Sequence, residues 1–225
     1  MQRRVLYILC ALLLLIGVSV ALYMVITERH VTPTGTGSVP AHDLRGKAIF
    51  TDGEHGFSLE YPDSDQSEYT FASYYHLPAT WRAGALTDAT GTPIISIVGY
   101  RIDQPASYPR YFDAEVRIGA SKDPKELAAC LSAATDQGEV ALPDVTLGGT
   151  TFKAFSFSSA GMMQYLKGIS YRAIHNGSCI AIEQLETGSN YRDDPKSSKD
   201  IPDSVLDAKY AALDAVVKTF TFVTP

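Results

Sequence analysis

The sequence predicts an α+β domain: an antiparallel β-sheet of about six strands with one helix packed on each face, preceded by one N-terminal transmembrane helix. Three observations carry this. Asn176-Gly177 sits between two runs rich in β-branched and aromatic residues, Tyr165 to His175 and Ser178 to Thr187. That pair is the strongest short-range hairpin signal, because both turn residues must take positive φ. Two amphipathic helical patterns, Asp123 to Gln137 and Pro202 to Lys218, lie far apart in the chain. Finally, Val5 to Ile26 is an uncharged apolar run of 22 residues, which at ~1.5 Å per residue crosses a hydrocarbon core of about 30 Å.

Taken in order, residues 1–4 form a cytoplasmic N-terminus and 5–26 the anchor. Arg3 and Arg4 precede the apolar run, so the positive-inside rule sends everything after it out of the cytoplasm. The alternative is a signal peptide cleaved near Ala21, where Ser19-Val20-Ala21 offers small residues. Residues 27–47, rich in Thr, Pro, Gly and Ser, read as a flexible linker, and 48–225 as the extracytoplasmic domain. Within it, Phe57, Leu59 and Tyr61 alternate with polar residues as a first strand, and Pro93 to Ile102 is nearly continuous apolar. Tyr111 to Ser121 is a further strand. In the first helix Asp123 caps, Pro124 takes the first helical position, Glu126 completes a capping box and Gly138 follows the end. Leu127, Cys130, Leu131 and Ala134 fall on one of its faces. Val145 to Leu147 and Thr150 to Ser158 flank Gly148-Gly149, then come the hairpin and a polar loop, Gly188 to Ile201. In the last helix, Leu206, Leu213, Val217 and Phe220 share a face.

Counting back from the hairpin turn puts Ile174 opposite Cys179 and Arg172 opposite Ala181 on one face. Ala173 with Ile180 and Tyr171 with Ile182 lie on the other. In an oxidising compartment Cys130 and Cys179 are a candidate disulfide, which would lay the first helix on the Cys179 face and the C-terminal helix on the other. Two buried free cysteines at separate sites are the alternative.

The order of elements resembles the PsbP-like fold, named after an extrinsic subunit of photosystem II and found also in small bacterial envelope proteins. The residues that carry the resemblance are GFSLEYP, LGGTTFKAFSFSS, YRAIHNGSCIAIE and LDAVVKTFTF, between about residues 47 and 222. They are core and turn patterns. The resemblance implies an α/β/α sandwich and a non-enzymatic accessory protein on a membrane complex, and it transfers no binding residue.

The chain carries net charge −6, and because residues 1–29 are net basic, the body is more acidic still. Nucleic acid and anionic lipid surfaces need a basic footprint and are excluded as main partners. No H-x-x-x-H, C-x-x-C, P-loop, dinucleotide G-x-G-x-x-G or G-x-S-x-G occurs, so neither a catalytic motif nor a metal or other cofactor is expected. His55, His76 and His175 have no ligand spacing, Glu183 is a candidate buried base, and Asn176-Gly177-Ser178 matches a glycosylation acceptor. The aromatics from Tyr69 to Trp81 read as core before ligand platform. The expectation is therefore a membrane-anchored binding or accessory module that meets another envelope protein or complex. Its candidate contact loop holds Asn190, Tyr191, Arg192, Asp193 and Asp194. The alternative is an envelope enzyme, hydrolase-like, whose site only the fold assembles.

Overall fold

Alternation of apolar and polar residues lets each strand present one face to a core, and the strands here pair antiparallel throughout. The computed structural model describes residues 41–43, 46–74, 76–102, 112–189 and 202–223. All of them fall within the compact unit Thr36–Pro225. The strands are β1 (Ala41–Asp43), β2 (Lys47–Asp52), β3 (Phe57–Pro62), β4 (Gln66–Glu68), β5 (Thr92–Ile102), β6 (Phe112–Ser121), β7 (Val140–Leu147), β8 (Thr150–Gly161), β9 (Gln164–His175), β10 (Ser178–Ser189) and β11 (Thr221–Phe222). The α-helices among the described residues are α1 (Pro124–Ala129) and α2 (Asp203–Val217).

The expected single sheet of about six strands is two sheets: one of seven, in the order β4-β5-β6-β10-β9-β8-β7, and one of four, β1-β2-β3-β11. The smaller sheet escaped the sequence reading because β1 and β11 are only three and two residues long and β2 begins at the edge of the expected linker. Folded strand in fact starts inside residues 27–47, where Ala41–Asp43 pairs with β2. The hairpin expected across Asn176-Gly177 is present in the register counted: Ile174 pairs with Cys179, Arg172 with Ala181, Ala173 with Ile180 and Tyr171 with Ile182.

One face of the large sheet is apolar. Ile95, Ile97, Val116, Ile118, Ala173, Ile180 and Ile182 pack against Phe50, Phe57 and Leu59 of the small sheet and against Leu206, Leu213, Val217 and Phe220 of α2 and its end. Phe220 stacks on Phe57 at 5.1 Å between ring centroids. Burying an aliphatic or aromatic side chain of this size stabilises by roughly 1.5–3 kcal/mol, so this face is the main apolar core.

The other face is covered by α1 and by the segment 69–91, whose described residues form no helix or strand beyond an isolated bridge between Tyr74 and Leu77. The helix expected over Asp123 to Gln137 is broken. Asp123 caps it, accepting from the Lys125 amide, but α-helix ends at Ala129 and a 3-10 helix, Thr135–Gln137, follows. Glu126 does not close a capping box; its carboxylate accepts from Arg82 and from the Leu86 amide. Glu139 in turn accepts from the Ala134 amide, and Gly138 adopts φ 79. Tertiary partners thus take the groups that would have prolonged the helix. Cys130 and Cys179 form a disulfide, with S–S 2.04 Å, beside buried Trp81 and Ala181. Phe71 and Leu77 are buried and Trp81 is 2% exposed, so the aromatic segment is core on this face.

No helix among the described residues is long and apolar enough to cross a membrane; the expected anchor, 5–26, lies outside those residues, as does the contact loop Asn190, Tyr191, Arg192, Asp193 and Asp194.

Candidate functional site

The face under segment 69–91 carries a layer of buried charge. On adjacent strands Arg172, Arg117, Glu115, Asp113 and Glu183 all point to this side. Each guanidinium lies over an aromatic ring: Arg172 over Phe155 at 4.0 Å, Arg117 over Phe71 at 4.9 Å, and Arg82 over Trp81 at 5.3 Å. Such stacking favours Arg over Lys in a dry site. Arg82 pairs with Glu126 at 2.7 Å, Arg172 with Glu139, and Arg117 with Glu115 at 2.7 Å. Arg117 also donates to the Ala72 carbonyl, and Glu183 Oε2 accepts from the Ala83 amide at 2.8 Å. These bonds tie the irregular segment to the sheet. Glu183 Oε1 has no hydrogen-bond partner among the described residues, and burial pushes its carboxyl upward against the pull of Arg82 and Arg172. At the layer's edge Tyr74 donates to Asp113, which also pairs with Arg101. Burial, then the charge of Glu115, push Asp113 up to about 6.

At another place a groove of about 440 Å³ opens between the β2–β3 turn, the start of β5 and the β6–α1 junction. Glu54, His55, Thr90, Gly91, Lys122 and Asp123 line it. The turn is built by Asp52, whose Oδ1 accepts from the Glu54 and His55 amides and whose Oδ2 lies 2.8 Å from His55 Nδ1. Burial alone would raise the Asp52 carboxyl; the imidazole and the two amides outweigh it and hold it below the usual range. His55 is 8% exposed, and its ring is held by Asp52 through Nδ1. An Asp-oriented imidazole on a concave surface can serve as a proton acceptor. The Ser121 hydroxyl in the groove wall is already engaged: it donates to the Thr90 carbonyl and accepts from the Asp123 amide. Lys122 lies 3.7 Å from Glu54, and Asp123 accepts from Thr90 as well as Lys125. Nothing in the sequence marked this groove except Asp52 three residues before His55.

The sequence candidates are placed apart. Cys130 and Cys179 are joined and fully buried. Glu183 is 1% exposed, so it lies in the sealed layer rather than in the groove. His175 stacks on Phe222 at 3.7 Å, while His76 bonds to Ser159 and the Gly161 carbonyl. No group of three or more His, Cys, Asp or Glu among the described residues is arranged to hold a metal ion. Asn176, with φ 49, and Gly177, with φ 72, form the hairpin turn, and Ser178 of the glycosylation match is buried.

No family model matches the chain, and no curated protein does. Two solved structures are similar to it in fold. LpqN, described as involved in cell envelope biogenesis of Mycobacterium tuberculosis, aligns with TM-score 0.39 and 12% identity, over 84% of this chain and 92% of that one. The cyanobacterial PsbP of Synechocystis sp. PCC 6803 aligns with TM-score 0.42 and 11% identity, over 83% of this chain and 98% of that one. At these identities and TM-scores neither likeness gives a site or an activity.

Proposed function

We propose that this chain is a binding or accessory module of the cell envelope, tethered by residues 5–26 with its domain outside the cytoplasm, and that it docks on another envelope protein. One observation supports this reading above the others: the charged layer is sealed from solvent. Glu183 and Arg117 are 1% exposed and Arg172 0%, so the charged layer serves to fasten segment 69–91, not to meet a substrate. The Cys130–Cys179 disulfide fits an oxidising compartment. The proposed contact loop is 190–194, with the acidic pair Asp193 and Asp194.

Crosslinking of the full chain in its native membrane, followed by identification of the captured protein, tests the reading. A partner that is captured reproducibly, and lost when Asp193 and Asp194 are changed to Lys, supports it. A chain recovered uncrosslinked under every condition, or one found in the cytoplasm with free thiols, overturns it. The enzyme reading draws support from the Asp52–His55 pair beside the groove. It requires that His55→Ala abolish a turnover measurable with the wild-type chain.

A further inference from the structure

We propose that Met162 and Met163 form a site of reversible oxidation, built so that the domain takes up oxidant without losing its fold. Strand β7 pairs with β8 only as far as Ser156, whereas β8 and β9 stay paired out to Gly161 and Gln164. The end of this hairpin therefore extends past its β7 neighbour. Its two turn residues are Met162, 77% exposed with φ 50, and Met163, 50% exposed with φ 63. A left-handed backbone strains any residue with a Cβ, and two-residue turns of this hand normally carry Asn-Gly. Two methionines stand here against that preference. The chain has four methionines, of which Met1 and Met24 lie outside the described residues. No buried core residue of the domain is a methionine. Among the described residues, then, thioethers are missing where a sulfoxide would disrupt packing and are paired where solvent reaches them.

The chemistry follows from exposure. A two-electron oxidant such as hydrogen peroxide, one molecule per sulfur, transfers one oxygen to one lone pair of that sulfur; the thioether becomes a sulfoxide and the peroxide leaves as water. The new S=O accepts hydrogen bonds from water, so no buried polar atom is created. A dithiol-dependent sulfoxide reductase reverses the step: the oxygen leaves as water and the dithiol becomes a disulfide. Nothing in this chemistry depends on the docking partner proposed above.

The test treats the full-length protein with hydrogen peroxide and follows the peptide spanning the tip by mass spectrometry. The expected result is loss of both unmodified thioethers at the rate of free N-acetylmethionine amide, an unchanged Tm, and recovery of both with sulfoxide reductase and dithiothreitol. Survival of the thioethers while the free amide is consumed, or a fall in Tm on oxidation, overturns the proposal. A second arm measures whether stability is given up to keep sulfur here: Met162→Asn with Met163→Gly should raise Tm by about 3 to 6 °C. An unchanged or lower Tm overturns that. In cells challenged with peroxide, the same peptide should carry sulfoxide, and its absence counts against the site.

Discussion

The two faces of the seven-stranded sheet are made by alternate residues of the same strands, yet they solve burial in opposite ways. Ile180 and Ile182 lie in an apolar core under α2 and the small sheet, whereas Arg172, Glu115, Arg117 and Glu183 lie in a charged layer under an irregular segment. Alternation ordinarily means core on one side and water on the other. Here both sides are dry, and the second is closed by directional bonds. Buried ion pairs add little net stability compared with apolar residues of the same volume. What they supply to segment 69–91, which lacks a ladder of its own, is a unique set of attachment points: Glu183 for the Ala83 amide, Glu126 for Leu86, Arg117 for the Ala72 carbonyl.

This contrast can be broken most directly at Arg172. Arg172→Ala takes from buried Glu139 its nearest cation, leaving it the Ala134 amide and Arg82 at 3.8 Å, and should cost about 3 to 5 kcal/mol in urea denaturation; a cost below ~1 kcal/mol would mean that water reaches the layer. Removing the disulfide with Cys130→Ser and Cys179→Ser, which opens a loop of sequence separation 49, should cost about 2 to 4 kcal/mol by the same measurement. A smaller loss is expected when both partners go together. Arg172→Met with Glu139→Leu turns this corner of the layer into a copy of the apolar face, and its stability should lie within about 1 kcal/mol of wild type or above it. A double variant as unstable as Arg172→Ala would show that the charges are needed as charges. The mildest probe is pH. Asp113, pushed up to about 6 from an ordinary 3.8, holds its proton more tightly folded than unfolded. Its contribution is therefore complete below the unfolded value and lost as pH rises from about 4 through 6. Glu183, also raised by burial, acts in the same direction. Tm followed across that window should decline with a shallower slope in Asp113→Asn, whereas parallel curves would remove Asp113 from the account.

The hairpin, its register, the disulfide and α2 were legible in the sequence because each rests on local rules: a turn dipeptide, a period of two, a helical stripe. The charged layer was not. Glu183 reads in the sequence only as a candidate buried base, and its cover comes from Ala83, in a stretch with no periodicity at all, where Arg82 pairs with Glu126 and Glu139. Glu126 shows the conflict at a single residue. Its spacing from Asp123 fits a capping box, but Arg82, 44 residues earlier in the chain, takes the carboxylate. The Met162–Met163 turn went unread for the converse reason, since its backbone matches that of Asn176–Gly177 while its residues carry no turn signature. The groove was hidden because its walls come from three separated segments.

The disulfide has a consequence for how the chain is wired. Between Cys130 and Cys179 the backbone travels out through β7, β8 and β9 and returns into β10. A single cut between Met162 and Met163 would separate one polypeptide carrying Cys130 from another carrying Cys179, and the two would still be one covalent molecule. β9 would remain zipped to β8 on one side and to β10 on the other. The sheet is thus continuous along two independent paths, the peptide backbone at its rim and a sulfur bridge through its interior.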